Sequence, residues 1–397
     1  MKLHCDITLP ASKSESNRAL MIAAYGGFVP DFQNLSDSND SLLLMEALQK
    51  LPSIDSNRTA FAWNDIEGNP CIINISDCGT AARFLTTYLA CHEGHWLLTG
   101  TERMCQRPMT SLVDALRKLD AEIHYVEKEG FLPLNIKGKP LSGGKLFIDM
   151  TQSSQFVSSL LLAAPMFPQG LELELLGNLN SLPYLDMTMT MMRHFGAEVE
   201  RNGRIVIVRP KHYQSNGFVV SADWSAASYW YEMAAFSEEC EIRLLGLSLP
   251  SMQGDAIIAD WMTQLGVGTF VENGTIVLKK IPFEKHSLSL DFSSVPDLYP
   301  TLSATCAGLK IRAHFTGLDN LAFKESNRVE AMQMELQKLG TQPLHFNAHN
   351  DHRVVMALAP LSMLYGPASF DHPEVVGKSY PKFWEESVFL QDFCYQR

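Results

Sequence analysis

Between Pro10 and the apolar run 19–24, the stretch LPASKSESNRAL sets Lys13 and Arg18 among three serines (Ser12, Ser14, Ser16) and Asn17. The run reads as the opening of a helix, where unpaired backbone N–H groups favour anions and leave cations out of place. Lys13 and Arg18 make sense there if a ligand brings its own negative charge. Arg107, Lys324, Arg328, Arg353 and Lys378 likewise stand in polar motifs or beside turn-forming residues. Arginine offers bidentate contacts to phosphate or carboxylate, and lysine a point charge. Ser153-Ser154-Gln155, at another helix entrance, adds hydroxyls and backbone N–H groups suited to a phosphate. Two acids in this company need a separate reason, because they repel such a ligand: Asp297 in SVPDLYP and Glu325 in FKESNR. General acid and base work supplies one; for Glu325 a salt bridge with Lys324 or Arg328 on one helix is an equal alternative.

Other chemistries lose support. His349 and His352 in HNDHR share a helical face, but no third clear ligand is near and Asn-Asp favours a turn or cap, so no metal is expected. The phosphate loop GxxxxGK[ST], the dinucleotide motif GxGxxG and the nucleophile elbow GxSxG do not occur. The eight cysteines (Cys5, Cys71, Cys78, Cys91, Cys105, Cys240, Cys306, Cys394) form no CxxC pair and read as reduced thiols. A net charge of −12 argues against a nucleic-acid partner, so any bound anion is expected to be small. No window approaches the ~20 apolar residues of a membrane span, and MKLHCDITLP lacks a signal-peptide layout, so a cytoplasmic location is expected.

The elements that must position these groups recur along the chain. At 397 residues, 46% apolar and 19% charged, the chain suits two globular domains. One series of segments reads as amphipathic helices that turn into strands: SLLLMEALQKLPS, LVDALRKLDAEI, LDMTMTMMRHFGAEVE, IIADWMTQLGVGTFVE and VEAMQMELQKLGTQP. In the third, Leu185, Met189 and Met192 share a face, Gly196 ends the helix, and Asn202-Gly203 joins a hairpin; Gly266 and Asn273-Gly274 repeat the pattern. A second series sets a short polar motif before a small-residue apolar helix: SKSESNR, DCGT, QSSQ, DWSAAS, VPDLYP and NDHR. Helices apolar nearly all round are buried, so six α+β units emerge, three per domain. If the buried helices of each domain start at one face and the faces meet, the cleft gathers their N-termini into a site for small polyanions. For Ser225 and Asp40 a plain capping role suffices.

Taken in order, LPASKSESNRAL, CGTAARFL, RMCQRPMTSLVDAL, SSQFVSSLLLAAP, LPYLDMT, VPDLYPTLS, FKESNRVEAM, NDHRVVMAL and GKSYPKFW resemble the 5-enolpyruvylshikimate-3-phosphate synthase family over nearly the whole chain. The resemblance implies a two-domain inside-out α/β barrel, with three βαβαββ-type units per domain and buried helices aiming their N-termini at the interdomain cleft. Its domains would be residues 1–12 plus 222–397, and 13–221. It further implies enolpyruvyl transfer from phosphoenolpyruvate to the 5-hydroxyl of shikimate 3-phosphate on the route to chorismate, by a monomer with no cofactor or metal and no nucleic-acid or membrane partner.

By that resemblance Lys13, Ser14, Arg18, Ser153, Ser154, Gln155, Ser181, Asp297, Asn320 and Lys324 hold shikimate 3-phosphate. Lys13, Gly79, Arg107, Gln155, Arg328, Arg353 and Lys378 hold phosphoenolpyruvate. Asp297 takes the hydroxyl proton, Glu325 protonates the methylene carbon with help from Lys13 or Lys378, and His352 orients its neighbours. Asp77-Cys78 stand where the family usually has Asn and a small residue, Phe84 where many members have Pro, and Ala11 where Gly is usual; Asp77 either places a carboxylate that weakens phosphoenolpyruvate binding or only caps the helix. A related enolpyruvyl transferase acting on a UDP-sugar uses a loop cysteine ahead of its Arg-Pro pair, and Cys105 lies closer to Arg107-Pro108 than that spacing. A non-catalytic anion binder is the other alternative, and it has no use for the two acids.

Overall fold

The computed structural model describes residues 1–51, 69–151, 153–284, 286–391 and 394–396. Gln152, which opens a polar motif, Pro52 and Ser53 at the end of the first amphipathic copy, and the Cys394 side chain lie outside the described residues. The chain divides into two compact units, Met1–Lys13 with Asn34–Asn39 and Val220–Arg397, and Ser14–Gln33 with Asp40–Val219. The short return through 34–39 has no sequence signature; Asn34 is tied in by its side-chain amide, which donates to the Val220 carbonyl at 2.8 Å.

The first unit carries a four-stranded sheet in which Lys2–Thr8 pairs in parallel with Glu239–Leu245. The strand Thr275–Lys280 then adds antiparallel to 239–245, and Val267–Glu272 antiparallel to 275–280. The hairpin between them turns on Asn273 and Gly274, at φ 51° and 79°, the left-handed pair that Asn-Gly supplies without Cβ strain at the glycine. The second unit builds the same sheet twice, from Cys71–Asn74, Gly94–Thr99, Leu134–Gly138 and Glu122–Tyr125, and from Gly144–Asp149, Leu171–Leu176, Ile205–Val208 and Val199–Asn202. Smaller parallel pairings complete each unit: Phe32–Gln33 with Phe218–Val219, Ser287–Asp291 with Arg312–Thr316, and Leu344–Phe346 with Ala368–Phe370 and Cys394–Gln396. One expected copy is truncated. After the surface helix Arg328–Leu336 the strand 344–346 joins 368–370, so the sheet of 287–291 and 312–316 closes without a hairpin.

All six small-residue segments are helices: Lys13–Gly26, Gly79–Cys91, Ser154–Ala163, Trp224–Phe236, Tyr299–Gly308 and His352–Leu358. Every residue of 224–236 is buried. Some of their hydroxyls are satisfied within the helix, Thr86 donating to Ala82 O at 2.7 Å and Thr305 to Thr301 O at 2.7 Å, which lets those threonines sit in the core. The amphipathic series forms surface helices, and in Leu182–His194 the stripe Leu185, Met189 and Met192 is buried as its spacing requires. No helix among the described residues is long and apolar enough to cross a membrane.

Candidate active site

In the first unit three buried helices begin together. Asp223 caps the helix 224–236, its Oδ1 accepting from Ser225 N at 2.8 Å and Ala226 N at 3.2 Å, while its Oδ2 accepts from Lys13 N at 3.3 Å. The cap expected at Ser225 is therefore two residues earlier, at Asp223, and the Ser225 hydroxyl is used elsewhere. Asp351 caps 352–358 by accepting from Arg353 N at 3.0 Å. Asp297 lies in the turn Pro296–Leu298 that leads into 299–308. Arg353 Nη2 reaches across these starts, donating to Asp297 Oδ2 at 2.9 Å and to Ser225 Oγ at 3.4 Å.

Arg328, 1% exposed, joins three acids: Nη1 to Asp297 Oδ1 at 2.8 Å, Nη2 to Glu325 Oε2 at 2.9 Å, and Nε to Asp351 Oδ2 at 2.8 Å. Lys324 Nζ donates to Asp297 Oδ1 at 3.3 Å. The expected salt bridge of Glu325 is thus present, and it is one edge of a network centred on Arg328. Burial pushes the Asp297 carboxyl up, but Arg353, Lys324 and Arg328 outweigh it and hold the group well below the usual carboxylate range. Asp255, buried behind Ser225, is pushed up to about 7 by burial and then by the charge of Asp297. His352 is held well below its ordinary value by burial, then by Lys13 and Arg353, and is neutral at pH 7. Its Nδ1 stands 3.7 Å from Asp351 Oδ1, and neither ring nitrogen makes a hydrogen bond among the described residues. Asn320, 7% exposed, leaves Oδ1 without a hydrogen-bond partner among the described residues, and Lys378, 6% exposed, ends the turn Pro373–Lys378.

The second unit gathers a different set. Arg18, 2% exposed, donates to neutral acceptors: Thr188 Oγ1 at 2.7 Å, Ser14 O at 2.9 Å, and Ser158 Oγ and Tyr184 O at 3.4 Å. Burial lowers its proton affinity to about 10. The guanidinium also lies 5.7 Å from the centre of the Phe84 ring. Gln155 Nε2 donates to Thr80 Oγ1 at 3.1 Å, which joins the entrances of the helices 154–163 and 79–91. Ser153 caps the former, accepting from Gln155 N at 3.2 Å, with Ser154 as its first residue. Ser181 precedes 182–194 at φ 59°, a left-handed conformation uncommon for serine. Arg107 packs its guanidinium on Gly79, where a Cβ would meet Nη1 at 2.4 Å. The cap of 79–91 is Cys78, whose sulfur accepts from Ala81 N at 3.3 Å, so the capping alternative for Asp77 does not hold.

Sequence reasoning passed over Asp255, Ser158 and Thr188, and gave Asp351 only a turn or a cap, not its bond to Arg328. Asp351 stood inside HNDHR, where the histidines drew attention, and the others join partners from distant segments. Among the described residues no cluster of three His, Cys, Asp or Glu is placed to hold a metal ion.

Fold and site together define a two-domain, mixed α/β enzyme that gathers anion-binding groups and paired acids at the starts of buried helices. The model of EPSP synthase (3-phosphoshikimate 1-carboxyvinyltransferase) matches residues 1–386. A 3-phosphoshikimate 1-carboxyvinyltransferase of Bacteroides fragilis strain YCH46 is 40% identical, over 97% of this chain and 95% of its own. One from Haemophilus influenzae strain KW20 is 33% identical, over 96% and 95%. The solved EPSP synthase of Acinetobacter baumannii shares the fold, with a TM-score of 0.73 at 20% identity, over 98% of this chain and 96% of that one. The chain belongs to the EPSP synthase family.

Proposed function

We propose that the site transfers the enolpyruvyl group of phosphoenolpyruvate to the 5-hydroxyl of shikimate 3-phosphate, releasing phosphate, as the family's enzymes do in the shikimate pathway. The observation that carries the assignment of roles is Asp297 set between Arg328, Arg353 and Lys324 at 2.8, 2.9 and 3.3 Å, a base inside an anion site. In this reading each unit supplies part of one interdomain site, and the buried helices of an inside-out barrel direct their first turns toward it. Ser14, Arg18, Ser153, Ser154, Gln155, Ser181, Asn320 and Lys324 hold shikimate 3-phosphate; Gly79, Arg107, Arg328, Arg353 and Lys378 hold phosphoenolpyruvate, with Lys13 and Gln155 touching both.

Glu325 gives its proton to the methylene carbon of phosphoenolpyruvate, which leaves C2 electron-poor. The 5-hydroxyl oxygen then attacks C2 while its proton passes to Asp297. The surrounding cations stabilise the tetrahedral adduct. Elimination reverses the first transfer: a methyl proton returns to Glu325, the C2–O bond to phosphate breaks, and the departing phosphate takes from Asp297 the proton that came from the 5-hydroxyl, which restores the base. Asp297 is a poor base while three cations hold it, so an incoming phosphate or carboxylate that engages Arg328 and Arg353 also raises its basicity. Arg18, charged and buried among neutral acceptors, suits the other anion.

Phosphate release from purified protein tests this reading, with phosphoenolpyruvate alone, with shikimate 3-phosphate, and separately with UDP-N-acetylglucosamine. Release that depends on shikimate 3-phosphate is the expected result. Release with the UDP-sugar only, or silence with both acceptors from folded protein, refutes it.

A further inference from the structure

The loop 251–255 folds onto the entrance of helix 224–236. Trp224 N donates to Gln253 Oε1 at 2.8 Å and Gln253 Nε2 donates to Ala222 O at 2.8 Å, so one glutamine spans both sides of the Asp223 cap. Two residues on, Asp255 is 3% exposed, and its Oδ2 accepts from the Ser225 hydroxyl. Its Oδ1 has no partner among the described residues. Ser225 Oγ in turn accepts from Arg353 Nη2 at 3.4 Å, the same nitrogen that donates to Asp297 Oδ2 at 2.9 Å. Two carboxylates therefore compete for one edge of one guanidinium, Asp297 directly and Asp255 through a hydroxyl. The helix needs no acid at 255, since Asp223 caps it, and an amide would accept from Ser225 equally well without the cost of burying a carboxyl.

We propose that Ser225 and Asp255 are positioning residues that act through Arg353 on Asp297, aiming the guanidinium and setting how firmly the base holds a proton. The inference rests on the function proposed above. The charged groups acting on Asp255 are Asp297, Arg353 and Asp223, with the Ser225 hydroxyl as its hydrogen-bond donor. Burial and Asp297 place its ionisation at about 7. Below that, the neutral carboxyl draws less on Arg353 through Ser225, and Asp297 is held the more firmly. Above it, the Asp255 carboxylate draws on Arg353 through Ser225 and repels the charge of Asp297, and both changes strengthen Asp297 as a base.

The test is kcat from pH 5.5 to 9 for the wild type, Asp255→Asn, Ser225→Ala and Ser225→Thr, with a thermal melt of each. The wild type should climb roughly tenfold through a transition near pH 7, the gain expected from about one unit of base strength. Asp255→Asn and Ser225→Ala should lose that rise and run about tenfold slower at high pH, and Ser225→Thr, which keeps the hydroxyl, should restore it. Survival of the rise in Asp255→Asn, or a loss of the same factor at every pH together with a lowered melt, overturns the inference. Should Asp255→Asn fail to fold, the contrast of Ser225→Ala with Ser225→Thr decides by the same criterion. Wild-type protein that releases no phosphate sinks the function and this inference together; wild-type turnover with unchanged variants sinks this inference alone.

Discussion

Replacing Asp297 by Asn separates the base from the anion site, because the two roles predict opposite effects. The carboxylate neutralises three cations at 2.8 to 3.3 Å, and it is charged throughout the working pH range because they hold its ionisation low. An anion entering among those cations feels that charge as a repulsion. At a separation of roughly 6 Å and an effective dielectric near 20, its removal is worth about 3 kcal/mol, on the order of a hundredfold in affinity. The amide can accept from Arg328 but turns its NH2 toward Arg353, so the cations are freed rather than re-paired. Phosphate and phosphoenolpyruvate should therefore bind more tightly to Asp297→Asn. Turnover should fall by about 10²–10⁴, the usual worth of a positioned base. Calorimetric titration of inorganic phosphate gives the first quantity, and phosphate release at saturating substrates the second. A kcat within tenfold of the wild type refutes the assignment of the base, and a variant that binds phosphate more weakly refutes the electrostatic account.

At Gly79 an added methyl lies 2.4 Å from Arg107 Nη1, where ordinary contact starts at 3.4 Å, so Gly79→Ala should displace the guanidinium by about 1 Å without harming the fold. The KM for phosphoenolpyruvate should rise roughly ten- to a hundredfold with an unchanged melting temperature, and an unaltered KM contradicts the placement of Arg107. Glu232, fully buried with neither carboxyl oxygen partnered among the described residues, is pushed well above 4.5 by burial. The unfolded chain releases that proton above 4.5 while the fold retains it, so stability falls as pH rises from 4.5 to the folded value, by about 1.4 kcal/mol per pH unit. Urea melts of Glu232→Met from pH 5 upward should lack that slope, and an identical slope counts against it. Cys105→Ser, whose parent thiol donates only to Gly100 O at 3.7 Å, should keep turnover within about twofold; loss of turnover in a folded protein favours the UDP-sugar enzyme.

The helices and hairpins were legible because their signals are local. A polar motif before a run of small apolar residues marks a buried helix wherever it occurs, and Asn-Gly marks a hairpin by the left-handed backbone it permits. The caps were less so. Asp223 and Ser225 both suit a cap, and only the fold shows that the hydroxyl of Ser225 is committed to Asp255, thirty residues on. At 77–78 the stronger acceptor lost to a thiol, because the turn places Cys78 and not Asp77 at the first free N–H groups. The charged residues could be gathered from their types, but their pairing could not. Arg328 meets Glu325 within one turn, whereas its bonds to Asp297 and Asp351 span 31 and 23 residues and exist only once three helix starts converge.

The two units hold their cations in different ways, and the difference bears on the order of binding. Arg328 and Arg353, the cations assigned to phosphoenolpyruvate, are compensated by acids, so an anion that engages them must first break ion pairs whose carboxylates then lose those partners. Arg18 is as deeply buried, yet among the described residues its hydrogen bonds go to hydroxyls and carbonyls and to no carboxylate, and burial lowers its proton affinity to about 10. An anion at Arg18 breaks no carboxylate hydrogen bond there and relieves the cost of that burial. Shikimate 3-phosphate, assigned to Arg18, should therefore bind the free enzyme, whereas phosphoenolpyruvate, which must compete with Asp297, should bind appreciably only afterward. Titration of each substrate alone and of phosphoenolpyruvate into the binary complex checks the order. Tight binding of phosphoenolpyruvate to the free enzyme would show that Asp297 is no barrier to it, and would also remove the step by which substrate binding activates the base.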